Sequence, residues 1–230
     1  MPDPSYVHAA FSRIAAHYVT ANHLLSMGAD ILWRARAVEL LAEWKPRRVL
    51  DIATGTGDMA LDILRALPGV DVLGTDFCEP MLEIARRRGL QHTLEADAMH
   101  LPLEDDQFDA ATVAFGLRNM ADYGEALREF CRVLRPGGRL LVLELGIPGG
   151  IWAAPFRFYL HRVLPRLAAG LTRAQETYSY LGRSMEAFPH GEAFLALLRS
   201  SGFVAPFAIP LWGGIASIYA AEKPAPAPLA

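Results

Sequence analysis

Four acids close or follow short apolar runs in the first half of the chain: Asp51, Asp58, Asp76 and Asp97. Gly55-Thr56-Gly57 stands between the first two. Glycines there allow unusual dihedrals and let a ligand come close to the main chain. A strand ending in an acid, then a glycine turn, then a starting helix makes a site for a nucleoside-like ligand. Asp76 stands 21 residues after Gly55 and suits a ribose diol. Gly55-Thr56-Gly57-Asp58-Met59-Ala60 also fits the loose GxGxxG/A pattern of dinucleotide folds, which carry an acid about 20 residues on. The turn alone leaves a nicotinamide dinucleotide and S-adenosyl-L-methionine both open.

Three features tilt the choice toward S-adenosyl-L-methionine. Asp51 and Asp58 flank the glycines; they would repel a pyrophosphate but suit a cationic amino acid end. Asp97 closes a third strand and is placed to accept a hydrogen bond from an adenine amino group, with the Ala98 amide nearby. A terminal hairpin fits a seven-stranded methyltransferase sheet, whose last strand is antiparallel. Phe77 and Met81 pack near adenine or in the core. Arg118 and Asn119 follow the fourth strand, on the same ligand edge. His92, His100 and His190 have no metal-ligand spacing, and no metal is expected.

These residues need a scaffold of alternating strands and helices. RVLDIA (48–53), DVLGTD (71–76), HTLEAD (92–97), AATVAF (110–115) and RLLVLEL (139–145) read as strands. Helices are expected at 58–67 and from Pro80 to Arg88. Tyr123, Ala126, Leu127, Phe130, Cys131 and Leu134 share one helix face, which Pro136-Gly137-Gly138 terminates. Residues 5–43 read as helices, with Leu32, Ala35, Val38, Leu41 and Ala42 on one stripe. The alternation predicts an α/β fold with a parallel, Rossmann-like sheet and helices on both faces. Residues 1–45 form N-terminal helices and 46–148 the cofactor-binding core. Residues 149–190 form a helical insertion and 191–222 a helix and hairpin, leaving 223–230 as a tail. The whole is expected to be one domain.

The chain has 230 residues, enough for one substantial core. Its net charge of −3 gives no basic excess for a nucleic-acid partner. Cys78 and Cys131 read as free thiols in a reducing compartment. No stretch reads as a secretory signal or reaches the ~18–20 apolar residues of a membrane span. A cytoplasmic protein is expected. The 52% hydrophobic composition keeps a greasy substrate and peripheral membrane contact open, and a homodimer too.

Beyond the glycine turn, FGLRN (115–119) and RVLRPGGRLLVLEL (132–145) resemble the ubiquinone/menaquinone biosynthesis C-methyltransferases, the UbiE/MenG family. Residues 158–189, especially VLPR and YSYLGRSM, and GGIASIYAAEK (213–223) carry the same resemblance. The family's N-terminal signature finds Tyr18, Asn22, Ser26 and Trp33, while Val19, Ala21 and Asp30 depart from it. Ala114 and Gly146 stand where the family usually has serine. The resemblance implies a class I methyltransferase that moves a methyl from S-adenosyl-L-methionine to a ring carbon of a polyprenylated quinol. The acceptor would be demethylmenaquinol or a methoxy-polyprenyl-benzoquinol, and the product S-adenosyl-L-homocysteine.

It also implies that Thr56, Asp76, Asp97 and Ala98 hold the cofactor. Asp51, Gly55 and Gly57 belong to the same pocket by the turn argument, and Phe77 and Ala114 are expected beside them. Arg118 is expected to stabilise a quinol oxyanion, and Asn119 to orient the ring or a water. Tyr18, Asn22, Tyr178 and Tyr180 are candidates for the ring pocket; the last two fit the core equally well. Phe156, Phe158, Tyr159, Leu160, Val163, Leu164 and Leu167 could form a groove for the isoprenoid tail. Three rival functions stay open: methylation of another small molecule, nicotinamide-dependent redox chemistry, and a non-catalytic scaffold that binds the cofactor.

Overall fold

The computed structural model describes residues 28–163 and 182–226. Its centre is a seven-stranded sheet of order β3-β2-β1-β4-β5-β7-β6. The strands are β1 (Arg48–Ile52), β2 (Asp71–Asp76), β3 (His92–Glu95), β4 (Phe108–Ala114), β5 (Leu134–Leu145), β6 (Val204–Leu211) and β7 (Ala216–Glu222). β1 to β5 run parallel; β7 is antiparallel to both neighbours. The hairpin expected near the C-terminus is therefore the β6–β7 pair.

Strand alternation sends successive side chains to opposite faces. Leu50, Ile52, Ala111, Val113, Leu140, Val142 and Tyr219 face one helix layer. That layer comprises α4 (Tyr123–Val133) and α6 (Glu192–Ser200), with Phe130 and Phe194 fully buried. Val49, Val72, Ala110, Leu141, Leu143 and Ile218 face the other. There α1 (Ala29–Glu43), α2 (Asp58–Ala66) and α3 (Glu79–Arg87) contribute Trp33, Leu41, Ile63 and Ala85. The helices lie on both faces, as the alternation predicts.

Three details differ from the sequence reading. The buried stripe of α1 runs through Ala29, Trp33, Ala37, Val38 and Leu41, which leaves Leu32 59% exposed and Ala35 at the surface. Pro136-Gly137-Gly138 does not end α4, which stops at Val133. It forms a bulge within β5, where Phe108 pairs with Leu134 and Ala110 with Arg139. Lys223 belongs to the fold and not to a tail. It exchanges backbone hydrogen bonds with Gly137 and Gly138, and its Nζ donates to Asp106 and to the Leu134 carbonyl.

After β5 come α5 (Ala153–Phe158), a π-helical turn at Tyr159–Val163 and a helical stretch at 182–187. Tyr18, Asn22, Ser26, Leu164, Leu167, Tyr178 and Tyr180 lie outside the described residues. Among the described residues no helix is long and apolar enough to cross a membrane.

Candidate functional site

All the parallel strands end at one edge, and the candidate residues gather there. β1 delivers Asp51 at its penultimate position, 1% exposed. Its carboxylate accepts from Thr54 Oγ1 at 2.6 Å and from Thr112 Oγ1 at 2.7 Å. Burial pushes its pKa up to about 6, against the lowering from those hydroxyls and the Ala60 amide; the Asp76 charge adds to the rise. Neither threonine was singled out from sequence. Thr112 was visible as the one polar residue in the run AATVAF (110–115).

The chain then turns through Ala53 at φ 52° and Gly55 at φ 55°, with no atom within 4 Å of where a Cβ on Gly55 would stand. Asp76 ends β2 and ties down this turn: one oxygen accepts from Gly55 N at 2.8 Å, the other from Cys78 N at 2.9 Å. Thr56 is 1% exposed, and its hydroxyl donates to Asp58. Asp58 is paired in turn. Burial pushes its carboxyl up, but the Arg88 guanidinium at 2.8 Å and the Thr56 hydroxyl bring it below its ordinary value. Gly57 opens α2 at φ 83°, a conformation that favours glycine.

Asp97 lies past β3, exposed; one oxygen accepts from the Met99 amide at 2.9 Å, and His100 stands 3.6 Å from the other. Ala98 and Phe77 are half-buried. Asp97, Asp76 and the glycine turn therefore follow the strand order β3-β2-β1 along the edge.

β4 supplies the next segment. Ala114 is half-buried at its end, and Phe115 follows at φ 58°. Gly116 touches the cofactor turn: a Cβ on it would stand 2.6 Å from the Ala53 Cβ. Both non-glycine residues at this junction hold left-handed backbone, which costs about 1–3 kcal/mol each and concentrates at functional sites.

Arg118 is not presented to solvent. Its side chain is 7% exposed, and its Nη1 donates at 2.7 Å to Glu144, whose side chain is fully buried. Nη1 also donates to the Phe115 carbonyl. Its amide reaches the second Glu144 oxygen at 3.2 Å. The guanidinium thus clamps the 115–119 turn onto β5. Glu144 carried no role in the sequence reading. The signal was an acid inside the apolar run LLVLEL, which needs a cation when buried. Asn119 is half-buried on the same turn.

Two departures from the family pattern have a visible local setting. Asp30 pairs with Arg34 at 2.7 Å inside α1, and Arg34 also holds Asp62 at 2.9 Å. At Gly146 a Cβ would stand 2.7 Å from the Gly214 carbonyl, so serine has no room. Among the described residues no group of three or more His, Cys, Asp or Glu side chains could hold a metal ion.

The chain's similarities to known proteins agree with this geometry. The model of the ubiE/COQ5 methyltransferase family matches residues 2–223. A demethylmenaquinone methyltransferase of Thermus thermophilus is 49% identical, over 93% of this chain and 100% of its own. One of Deinococcus radiodurans is 43% identical, over 94% and 92%. The ubiquinone/menaquinone biosynthesis C-methyltransferase UbiE of Bdellovibrio bacteriovorus is 41% identical, over 95% and 96%. A solved SAM-dependent methyltransferase from Thermotoga maritima shares the fold at TM-score 0.68 and 22% identity, over 94% of this chain and 98% of that one.

Proposed function

The chain belongs to the ubiE/COQ5 methyltransferase family, and from that premise we propose that it methylates a ring carbon of a polyprenylated quinol. The donor in this reading is S-adenosyl-L-methionine and the principal acceptor is demethylmenaquinol; the methoxy-polyprenyl-benzoquinol is the second candidate. The names of the 49% and 43% identical relatives favour the first. That of the UbiE relative keeps the second.

The observation that carries the donor is the row of acids at three adjacent strand ends. Asp97, Asp76 and Asp51 accompany a turn with open space at Gly55. A pyrophosphate there would meet like charge, whereas a cationic amino acid end meets opposite charge. In this reading Asp97 accepts from the adenine amino group, Asp76 holds the ribose diol, and Asp51 stabilises the cationic end. Thr56 acts through Asp58 to shape the turn. Bound there, S-adenosyl-L-methionine supplies an electrophilic methyl on a positively charged sulfur.

The rest is positioning, which can contribute on the order of 7–11 kcal/mol to such a reaction. Arg118, locked to Glu144, is a positioning residue that holds Asn119 at the edge. Asn119 orients the quinol ring or a water that takes its proton. The acceptor's isoprenoid tail confines it to lipid, so the protein works peripherally, at the inner face of a membrane. Ile151, 84% exposed, and Phe158, 64% exposed, provide apolar side chains for that contact.

Calorimetric titration tests the donor. S-adenosyl-L-methionine and S-adenosyl-L-homocysteine should both bind with one-site stoichiometry. Binding of NADH with no response to either would overturn the reading.

A further inference from the structure

Trp33 is 5% exposed, yet its indole N–H has no hydrogen-bond acceptor among the described residues. A buried donor left unpaired costs about 1–3 kcal/mol, and such groups are rare in folded proteins. Two aromatic rings stand beside it. Phe115 is tilted against the indole at 6.3 Å between centroids, and Trp212 meets it edge-on at 5.6 Å. Both neighbours hold backbone that their residue types avoid, with φ 58° at Phe115 and 49° at Trp212. An unpaired donor and two strained aromatics thus converge on one spot.

The place of that spot in the fold says what it meets. Along the sheet edge, Asp97, Asp76 and the glycine turn follow β3, β2 and β1, and Phe115 follows β4. Trp212 opens the turn between β6 and β7, and that turn packs on the residues just after β5: Gly214 against Pro148, and Gly146 against the Gly214 carbonyl. In the donor reading given above, the adenine, ribose and amino acid subsites take the β3–β1 side. Trp33 and Phe115 pack with Ala110 of β4, Leu141 and Leu143 of β5 and Ile218 of β7, the next strands along.

We propose that Trp33, Phe115 and Trp212 form the binding site for the acceptor's aromatic ring, and that the Trp33 Nε1–H donates a hydrogen bond to one ring oxygen. This rests on the quinol reading given above. Phe115 and Trp212 supply apolar faces for a planar ring, in the tilted and edge-on arrangements that aromatic pairs prefer. The N–H bond strengthens as the oxygen gains negative charge, so it favours the ionised quinol. A buried donor also rejects rings that lack the oxygen, because they would leave it unpaired.

The test follows the indole N–H by 15N NMR in the full chain, with the Trp33 resonance assigned by its absence in Trp33→Phe. S-adenosyl-L-homocysteine is added first, then 2-prenyl-1,4-naphthoquinol. The expected result is a downfield shift of the Trp33 proton on quinol addition and none with the nucleoside alone. In turnover, Trp33→Phe should raise the KM for quinol about tenfold, as loss of one such bond implies, with cofactor affinity held within about twofold. A shift on nucleoside addition alone would assign the N–H to the donor and overturn the proposal. So would an unmoved resonance in a protein that methylates the quinol, which leaves the quinol reading standing. If the protein neither methylates the quinol nor shows any shift, both readings fail.

Discussion

Asp51→Asn separates what the acid costs the fold from what it does for the ligand. The ordinary value of its carboxyl is 3.8, and burial pushes it to about 6. That rise corresponds to about 3 kcal/mol of destabilisation once the group is ionised. The sign follows from linkage: stability present below pH 4 is lost as pH rises from about 4 to about 6, and the deficit persists above. Asparagine cannot ionise and escapes the deficit. It keeps one acceptor oxygen for its neighbours, and a threonine hydroxyl can turn to accept from the new NH2 group. The net gain at pH 8 should be roughly 1–2 kcal/mol, or about 2–8 °C in Tm for a chain of this size. The advantage should shrink through pH 6 and vanish by pH 4. Affinity for S-adenosyl-L-methionine should fall at least about tenfold, since a charge within hydrogen-bonding range of a cation is worth more than ~1.4 kcal/mol. Thermal melts of the ligand-free protein at three pH values, with calorimetry at pH 8, measure both effects. A variant destabilised equally at every pH would refute the reasoning and make Asp51 a plain structural hub.

Arg118→Ala leaves Glu144 buried and unpaired and should cost about 3–5 kcal/mol in chemical denaturation. The double variant Arg118→Met with Glu144→Gln should regain most of that stability but not turnover, if the arginine positions the Asn119 turn. Gly116→Ala drives a Cβ against Ala53, 2.6 Å away. It should cost about 1–3 kcal/mol and lower kcat more than cofactor affinity, as melts and steady-state kinetics would register. Asp76→Ala removes the acceptor for the Gly55 and Cys78 amides. Calorimetry should show donor affinity weakened by more than about tenfold.

The sheet was legible because β1, β2, β4 and the second half of β5 are mostly buried and their apolar runs end in turn residues. Asp51, Asp76 and the glycines were legible for the same reason: a polar residue closing an apolar run marks a strand's end. Arg118 was legible as following β4, but its partner was not. Glu144 lies 26 residues away in sequence, and only the parallel pairing of β4 with β5 brings the two together. Side-chain pairing across strands leaves no periodic trace. Asp58 is a second case: its partner Arg88 sits beyond the next helix, a pairing that no spacing in the sequence announces. The α1 stripe misled because α1 offers apolar residues on two sides. Packing against α2 and β5 chose Trp33, Ala37 and Leu41 over Leu32 and Ala35.

The central claim is that a methyl group passes from S-adenosyl-L-methionine to a carbon of a quinol ring. Methyl-labelled donor, supplied with demethylmenaquinol and with the methoxy-polyprenyl-benzoquinol in parallel, followed by mass spectrometry of the extracted lipids, tests it most directly. We expect one labelled methyl on a ring carbon of demethylmenaquinol, at a higher rate than on the benzoquinol, and at subsaturating donor a label reduced more than about tenfold in Asp76→Ala. Label on neither quinol under reducing conditions, in a protein that binds the donor, would contradict it.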